Sequence, residues 1–291
     1  MHLFEERGVV LFDAAMGSAL LDAGQPKGTG SEEMNNSSPE TVLKIHLENI
    51  QAGSDVVTSN TFGITGLMLR GDRERALGTL VKAVGLAKKA AAGGGPGGRE
   101  VLACLCVGPS GMLLGPLGDI DYDVAEDAFA AQAEAACRAG ADFILLETFA
   151  DPEEFASAAR GAKKAVDLPV LGTMTFGESG RSFMGASPED LIRIAREEKL
   201  SATGANCSLD PAGIIPVMTK LLSLADGLPL IAQPNMGQPV YDEGKVMYVT
   251  SDEAFVAGAK KLIELGVSGI GGCCGTTPMV ISLIRDIIDR R

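Results

Sequence analysis

Histidine is nearly absent from this chain: 291 residues contain only His2 and His46. A histidine-based catalytic triad and a histidine-rich metal site are therefore excluded. His46 falls mid-helix between Ile45 and Leu47 and reads as structural, and His2 lies in a terminal leader. Basic residues are also short, with 25 Lys and Arg against 38 Asp and Glu and a net charge of −13. Nucleic acid is not an expected partner, because duplex binding rests on neutralising phosphates with cations. No apolar run approaches the ~20 residues of a membrane helix. The leader, residues 1–7, is too polar and too short for a signal peptide. Six cysteines spread over this length make no dense disulfide framework, which fits a reducing compartment and a cytoplasmic location.

Short apolar runs recur at 9–12, 55–58, 101–107, 143–146, 169–172, 202–206, 228–232 and 267–270. Each is followed by a helix-like stretch, as expected of parallel strands buried on both faces. Capping residues before proline open the intervening helices at Ser38, Asp151, Ser187, Asp210 and Thr277. Asp151 with Glu154 also matches a capping-box spacing. Gly53, Gly140 and Gly266 stand where helices should stop. Eight βα units predict a closed (β/α)8 barrel forming a single domain over 1–291. An open doubly wound sheet ranks second, since 12–17 lacks the Gly-x-Gly-x-x-Gly fingerprint. The glycine-rich stretch 90–98 is expected to be a surface loop.

In a barrel the C-terminal strand ends converge on one mouth. Those ends supply Asp13, Asn60, Glu147, Cys207, Asn235 and the pair Cys273-Cys274. The pair sits in Gly-Gly-Cys-Cys-Gly-Thr-Thr-Pro. Adjacent cysteines can present both sulfurs to one ion only where the strand has lost its regularity, and Gly271, Gly272 and Gly275 are expected to supply that freedom. With Cys207 they make a three-sulfur set, leaving one tetrahedral position open as in a catalytic zinc site. Asp13 and Glu147 are placed to hold a cationic amine, though each could instead cap a turn. Asn60 and Asn235 are turn-prone types that commonly serve the backbone. Cys104, Cys106 and Cys137 are expected to be core hydrophobes.

Taken together, Phe12 through Gly17, Ser59 through Gly63, Gly108 through Gly111, Glu147-Thr148-Phe149, Asn206-Cys207-Ser208 and Gly271 through Pro278 resemble the homocysteine S-methyltransferase family. The tail is most similar to the homocysteine-binding domain of cobalamin-dependent methionine synthase. The resemblance implies zinc on Cys207, Cys273 and Cys274, with the homocysteine sulfur in the fourth position and Asn235 ligating when the thiol is absent. It further implies that Asp13 and Glu147 engage the substrate's amino end and that the turn Ala14, Ala15, Met16 and Gly17 lies near its carboxylate, with Asn60 close by. Ala14 departs from the family's usual glycine and narrows that end. With the chain ending at Arg291, methylcobalamin is expected from a separate corrinoid protein. Alternatives are a small donor such as S-methylmethionine or betaine, another acceptor thiol, or a non-enzymatic cysteine-lined metal-binding protein.

Overall fold

The computed structural model describes Phe4, residues 7–242 and residues 245–291. Eight parallel strands form one sheet: β1 (Val10–Leu11), β2 (Val56–Thr58), β3 (Leu102–Val107), β4 (Phe143–Phe149), β5 (Val170–Met174), β6 (Ala202–Asn206), β7 (Leu230–Gln233) and β10 (Gly269–Ile270). Every predicted apolar run overlaps one of them, with β4, β5 and β7 extending beyond their runs. Their spatial order is β1-β10-β7-β6-β5-β4-β3-β2, the curl of a barrel rather than a doubly wound sheet. A second element, unforeseen in the sequence, is an antiparallel hairpin of β8 (Pro239–Asp242) and β9 (Lys245–Tyr248) beyond β7.

Two apolar layers hold the architecture. Inside the barrel, Val10, Phe12, Val56, Cys104, Phe143, Leu145 and Leu171 fill the lumen over Phe4. Outside, helices lay one stripe against the sheet: α6 (Tyr122–Arg138) buries Ala125, Ala128, Phe129, Gln132 and Ala136 at helical spacing. Phe149 at the end of β4 meets Phe129 and Phe155 at centroid distances of 6.0 and 5.5 Å, with tilted rings. Phe155 belongs to α7 (Pro152–Ala165).

Helix punctuation follows the sequence with two exceptions. Asp151, Ser187, Asp210 and Thr277 each accept a backbone N–H of the helix they open. Ser38 makes no such bond. The capping box lies at Ser187 and Asp190, because the Glu154 carboxylate is drawn away to the Ser110 N–H at 2.7 Å. Gly53, Gly140 and Gly266 adopt φ of 107°, 88° and 102° and stop their helices as expected. In the glycine-rich stretch, Ala90 and Ala91 still belong to a helix, and Cys137 is exposed rather than in the core.

The barrel closes between β1 and β2 without a regular ladder. Asp55 N–H donates to Leu11 O at 2.7 Å, and Leu11 N–H donates to the Asp55 carboxylate at 2.8 Å. At the other end of the seam, Thr58 N–H donates to Asp13 Oδ2 at 2.8 Å and its hydroxyl to Oδ1 at 3.0 Å. Two carboxylates thus stand where strand carbonyls would be. Asp55 is nearly inaccessible and is met by Arg285 at 2.6 Å and Arg7 at 3.3 Å. Removing one partner of a buried ion pair strands the other charges and costs about 3–5 kcal/mol. Asp55→Ala should therefore lower unfolding stability by about that amount in urea titration, while Glu48→Ala, at an exposed i,i+4 pair, should stay within about 0.5 kcal/mol.

Candidate metal and substrate site

Cys207 follows β6, and Cys273-Cys274 follow β10, two strands separated only by β7. Their three sulfurs lie within 4.8 Å of one another. The Cys207–Cys274 and Cys273–Cys274 distances are 3.9 and 4.0 Å. Tetrahedral coordination with Zn–S near 2.3 Å separates sulfurs by about 3.8 Å, so the spacing fits a bound ion and is far too long for a disulfide. Cys274 is held well below the ordinary thiol range because Cys207 and Cys273 donate to its sulfur, and Cys273 rises for the reciprocal reason.

Backbone geometry aims these sulfurs. The turn from Cys273 to Thr276 is closed by Thr276 N–H to Cys273 O at 3.1 Å, with Gly275 at φ 80°. That is the position where a type II turn demands glycine. Gly271 and Gly272 serve differently from the expectation, because neither adopts a positive φ. A side chain at Gly271 would strike Phe12, and one at Gly272 would strike Thr276. They are small for space, not for freedom. Cys207 and Ser208 stand at φ 62° and 57°, strained for residues with side chains. Cys207 N–H is held by Gln233 O at 2.9 Å, and Leu209 N–H donates to Cys207 O at 2.7 Å.

Glu147 and Thr148 occupy a register shift in the β4–β5 ladder between Leu146 and Phe149. Such a bulge turns side chains out of the alternation. Thr148, at φ 63°, donates its N–H to Asn206 Oδ1 at 2.8 Å, and Asn206 Nδ2 returns a bond to the Thr148 hydroxyl at 2.7 Å. Asn206 Nδ2 also approaches Cys273 Sγ at 4.0 Å. One asparagine therefore ties the carboxylate-bearing bulge to the thiol cluster.

A cavity of about 370 Å³ joins Cys207, Cys273 and Cys274 to Asp13, Glu147 and Asn60. Among the described residues no Lys or Arg lines it. Burial pushes Asp13 up to about 7, against the pull of its Thr58 bonds. Burial likewise raises Glu147 to about 7, partly offset by a Cys106 thiol 2.8 Å away. Ala14, Ala15, Met16 and Gly17 all line the cavity. The Ala14 and Ala15 N–H groups are already given to Asn49 Oδ1 and Thr276 Oγ1. That leaves Met16 and Gly17 at the start of a helix, where first-turn N–H groups have no intrahelical acceptor. Asn60 donates to Ser31 O at 2.7 Å and so also props the mouth. Asn235 is buried with its Oδ1 unpartnered among the described residues, and it is not among the residues that line the cavity.

A family model described as homocysteine S-methyltransferase matches residues 10–288. The chain belongs to the homocysteine S-methyltransferase family. It is 30% identical over 285 residues to the methionine synthase of Mycobacterium tuberculosis, covering 93% of this chain and 24% of that protein. The chain thus spans about a quarter of the two mycobacterial methionine synthases it matches, 24% and 23% of their lengths. Homocysteine S-methyltransferase 2 of Arabidopsis thaliana is 28% identical over 287 residues, covering 88% of this chain and 85% of its own. The metallated homocysteine methyltransferase MmuM of Escherichia coli superposes with a TM-score of 0.78 at 23% identity over 98% of both chains, a likeness of fold.

In this homocysteine S-methyltransferase family member, four residues at the mouth escaped sequence reasoning. Glu32, which accepts from Gly63 N–H at 2.6 Å, and Gln233, with an unpartnered Oε1, both line the cavity. Cys106 is buried as expected and in addition contacts Glu147. Tyr248, in the hairpin, lies so close over Gly275 that a side chain there would collide with its ring. The Cys-x-Cys spacing was the one available signal for Cys106. In metal-free protein the raised Glu147 and Asp13 carboxyls favour their protonated forms in the fold. Their contribution to stability is whole below the ordinary values of 4.5 and 3.8 and is lost as pH rises to about 7. Melting temperatures measured in chelator should therefore fall less, or rise more, between pH 5 and 7 in Glu147→Gln than in wild type, since the substitution removes one raised carboxyl while the buried His46, lowered to about 4, acts in the opposite sense in both proteins. An unchanged slope would mean that Glu147 is not buried as described.

Proposed function

We propose that this chain moves a methyl group to the thiol of homocysteine, held at a zinc ion on Cys207, Cys273 and Cys274, to form methionine. The three-sulfur cluster carries this reading. Its spacing suits one tetrahedral ion, it leaves a fourth position toward the cavity, and thiolate donors suit zinc. When bound, zinc would hold the acceptor as a thiolate at neutral pH, which a free alkyl thiol with a pKa near 8.5 scarcely becomes. Asn235 would supply an oxygen in the thiol's absence.

The chain's own residues fix the acceptor. Glu147 and Asp13 receive its ammonium group, and the open N–H groups of Met16 and Gly17 lie beside its carboxylate. Both carboxylates give position rather than proton transfer, since the sulfur needs an unobstructed line to the incoming methyl. No covalent methyl-enzyme is required. Ala14 places a methyl group where the family commonly has hydrogen, tightening the amino-acid end.

For the donor, the Gly-Gly-Cys-Cys-Gly-Thr-Thr-Pro tail and the similarity to methionine synthases favour a methylated corrinoid presented over the mouth. A second reading has its own observation: a mouth lined by Asp13, Glu32 and Glu147 without a lysine or arginine suits a small cationic donor such as S-methylmethionine or betaine. Reduced thiols are needed in either case, in keeping with a cytoplasmic site. No helix among the described residues is long and apolar enough to cross a membrane.

Zinc-loaded, reduced protein should be given homocysteine with methylcobalamin, S-methylmethionine or betaine in parallel, and methionine measured. Turnover with methylcobalamin alone is expected, and turnover with an onium donor alone would replace the corrinoid reading with the second one. Cys207→Ala, or a chelator, should lower kcat/KM by more than about a hundredfold, beyond the loss typical when only a ligand's hydrogen-bond partner is removed. Retention of activity in Cys207→Ala would end the zinc-thiolate reading.

A further inference from the structure

Resting on that reading, we infer that Cys106 is a positioning residue for the amine-binding carboxylate and sets the preference for amine-bearing thiols. Cys106 sits near the end of β3, beside β4, with its Sγ 2.8 Å from Glu147 Oε1. This is the only hydrogen bond that the Glu147 side chain makes among the described residues. Glu147 lies in the β4 bulge, where the ladder does not restrain it. Without the thiol, a carboxylate on a two-carbon stem is free to swing among its rotamers.

The thiol itself is held rigidly. Cys106 N–H donates to Ser59 Oγ at 3.2 Å, and Cys106 O accepts the Thr61 hydroxyl at 2.6 Å. Those two hydroxyls bond each other at 2.8 Å. Both main-chain groups of Cys106 are therefore latched to the loop after β2, and its side chain is 3% exposed. Burial and the nearby carboxylate keep its pKa well above the ordinary thiol value, so the donor proton stays in place. By engaging Oε1, Cys106 leaves Oε2 as the oxygen offered to the cavity. An acceptor's ammonium then meets a carboxylate already fixed, which lowers the ordering cost of binding.

Three variants and two acceptors test this. Acceptors would be homocysteine and 4-mercaptobutyrate, which keeps the thiol and carboxylate but lacks the amine. Cys106→Ala should lower the ratio of kcat/KM for homocysteine to that for 4-mercaptobutyrate about tenfold, the effect of losing one hydrogen bond to a charged group. The change should fall on KM. Cys106→Ser, which retains a donor, should restore the ratio to within about threefold. Equal losses on both acceptors would assign Cys106 to packing and overturn the proposal. An independent readout needs no turnover: above about pH 8, where Glu147 is ionised, the infrared S–H band missing from Cys106→Ser should shift to higher frequency in Glu147→Gln, as the acceptor becomes neutral. If that band does not move, the thiol–carboxylate bond is absent and the inference fails even with an active enzyme. If wild type methylates neither thiol, the proposed function fails and the infrared arm still decides the bond.

Discussion

Closure of the barrel at the β1–β2 seam is the constraint on which the mouth depends. A regular parallel ladder would close it with main-chain carbonyls, but here Asp55 and Asp13 supply the acceptors at the two ends. Asp55 draws Arg7 and Arg285 inward and locks the base of the barrel. Asp13 bridges to Thr58 at the rim and also lines the cavity. Its carbonyl further receives Gly272 N–H, tying the end of β1 to the approach of the cysteine pair. One aspartate thus closes the sheet, carries charge into the site and supports the thiol loop.

Backbone strain is concentrated in the same region. Thr148, Cys207 and Ser208, all carrying side chains, adopt left-handed φ values around the mouth. Each costs on the order of 1–3 kcal/mol and persists only where surrounding contacts leave no alternative. Those contacts are visible: Asn206 grips Thr148, Gln233 O holds Cys207, and the Phe129–Phe149–Phe155 stack anchors the bulge from behind. The apolar barrel stabilises a small patch of unfavourable geometry, and that patch points the reactive groups.

Much of this was legible in the sequence because the strands are nearly pure apolar runs. Against that background a strand-end Asp, Glu or Cys stands out, and the structure brings Asp13, Glu147, Cys207, Cys273 and Cys274 to one cavity. What failed depended on contacts between distant segments. Glu154 has a capping-box spacing, yet Ser110, 44 positions away, takes its carboxylate. Gly271 and Gly272 look like hinges, but only the neighbouring Phe12 and Thr276 reveal that they make room. The β8–β9 hairpin arises from Pro-Val-Tyr-Asp and Lys-Val-Met-Tyr, which show no apolar–polar alternation, and Cys106 resembles any buried cysteine until Glu147 is seen beside it.

The two halves of the barrel contribute different things to the mouth. Every thiol of the cluster comes from β6 onward, on strands that are hydrogen-bonded neighbours through β7. Asp13, Glu147 and Cys106 all come from the first four strands. On the proposed function, anchoring of a sulfur and recognition of the molecule that bears it are encoded in separate stretches of chain. In evolutionary terms, the stretch through β4 can diverge toward new acceptors while the sulfur-binding stretch is inherited intact.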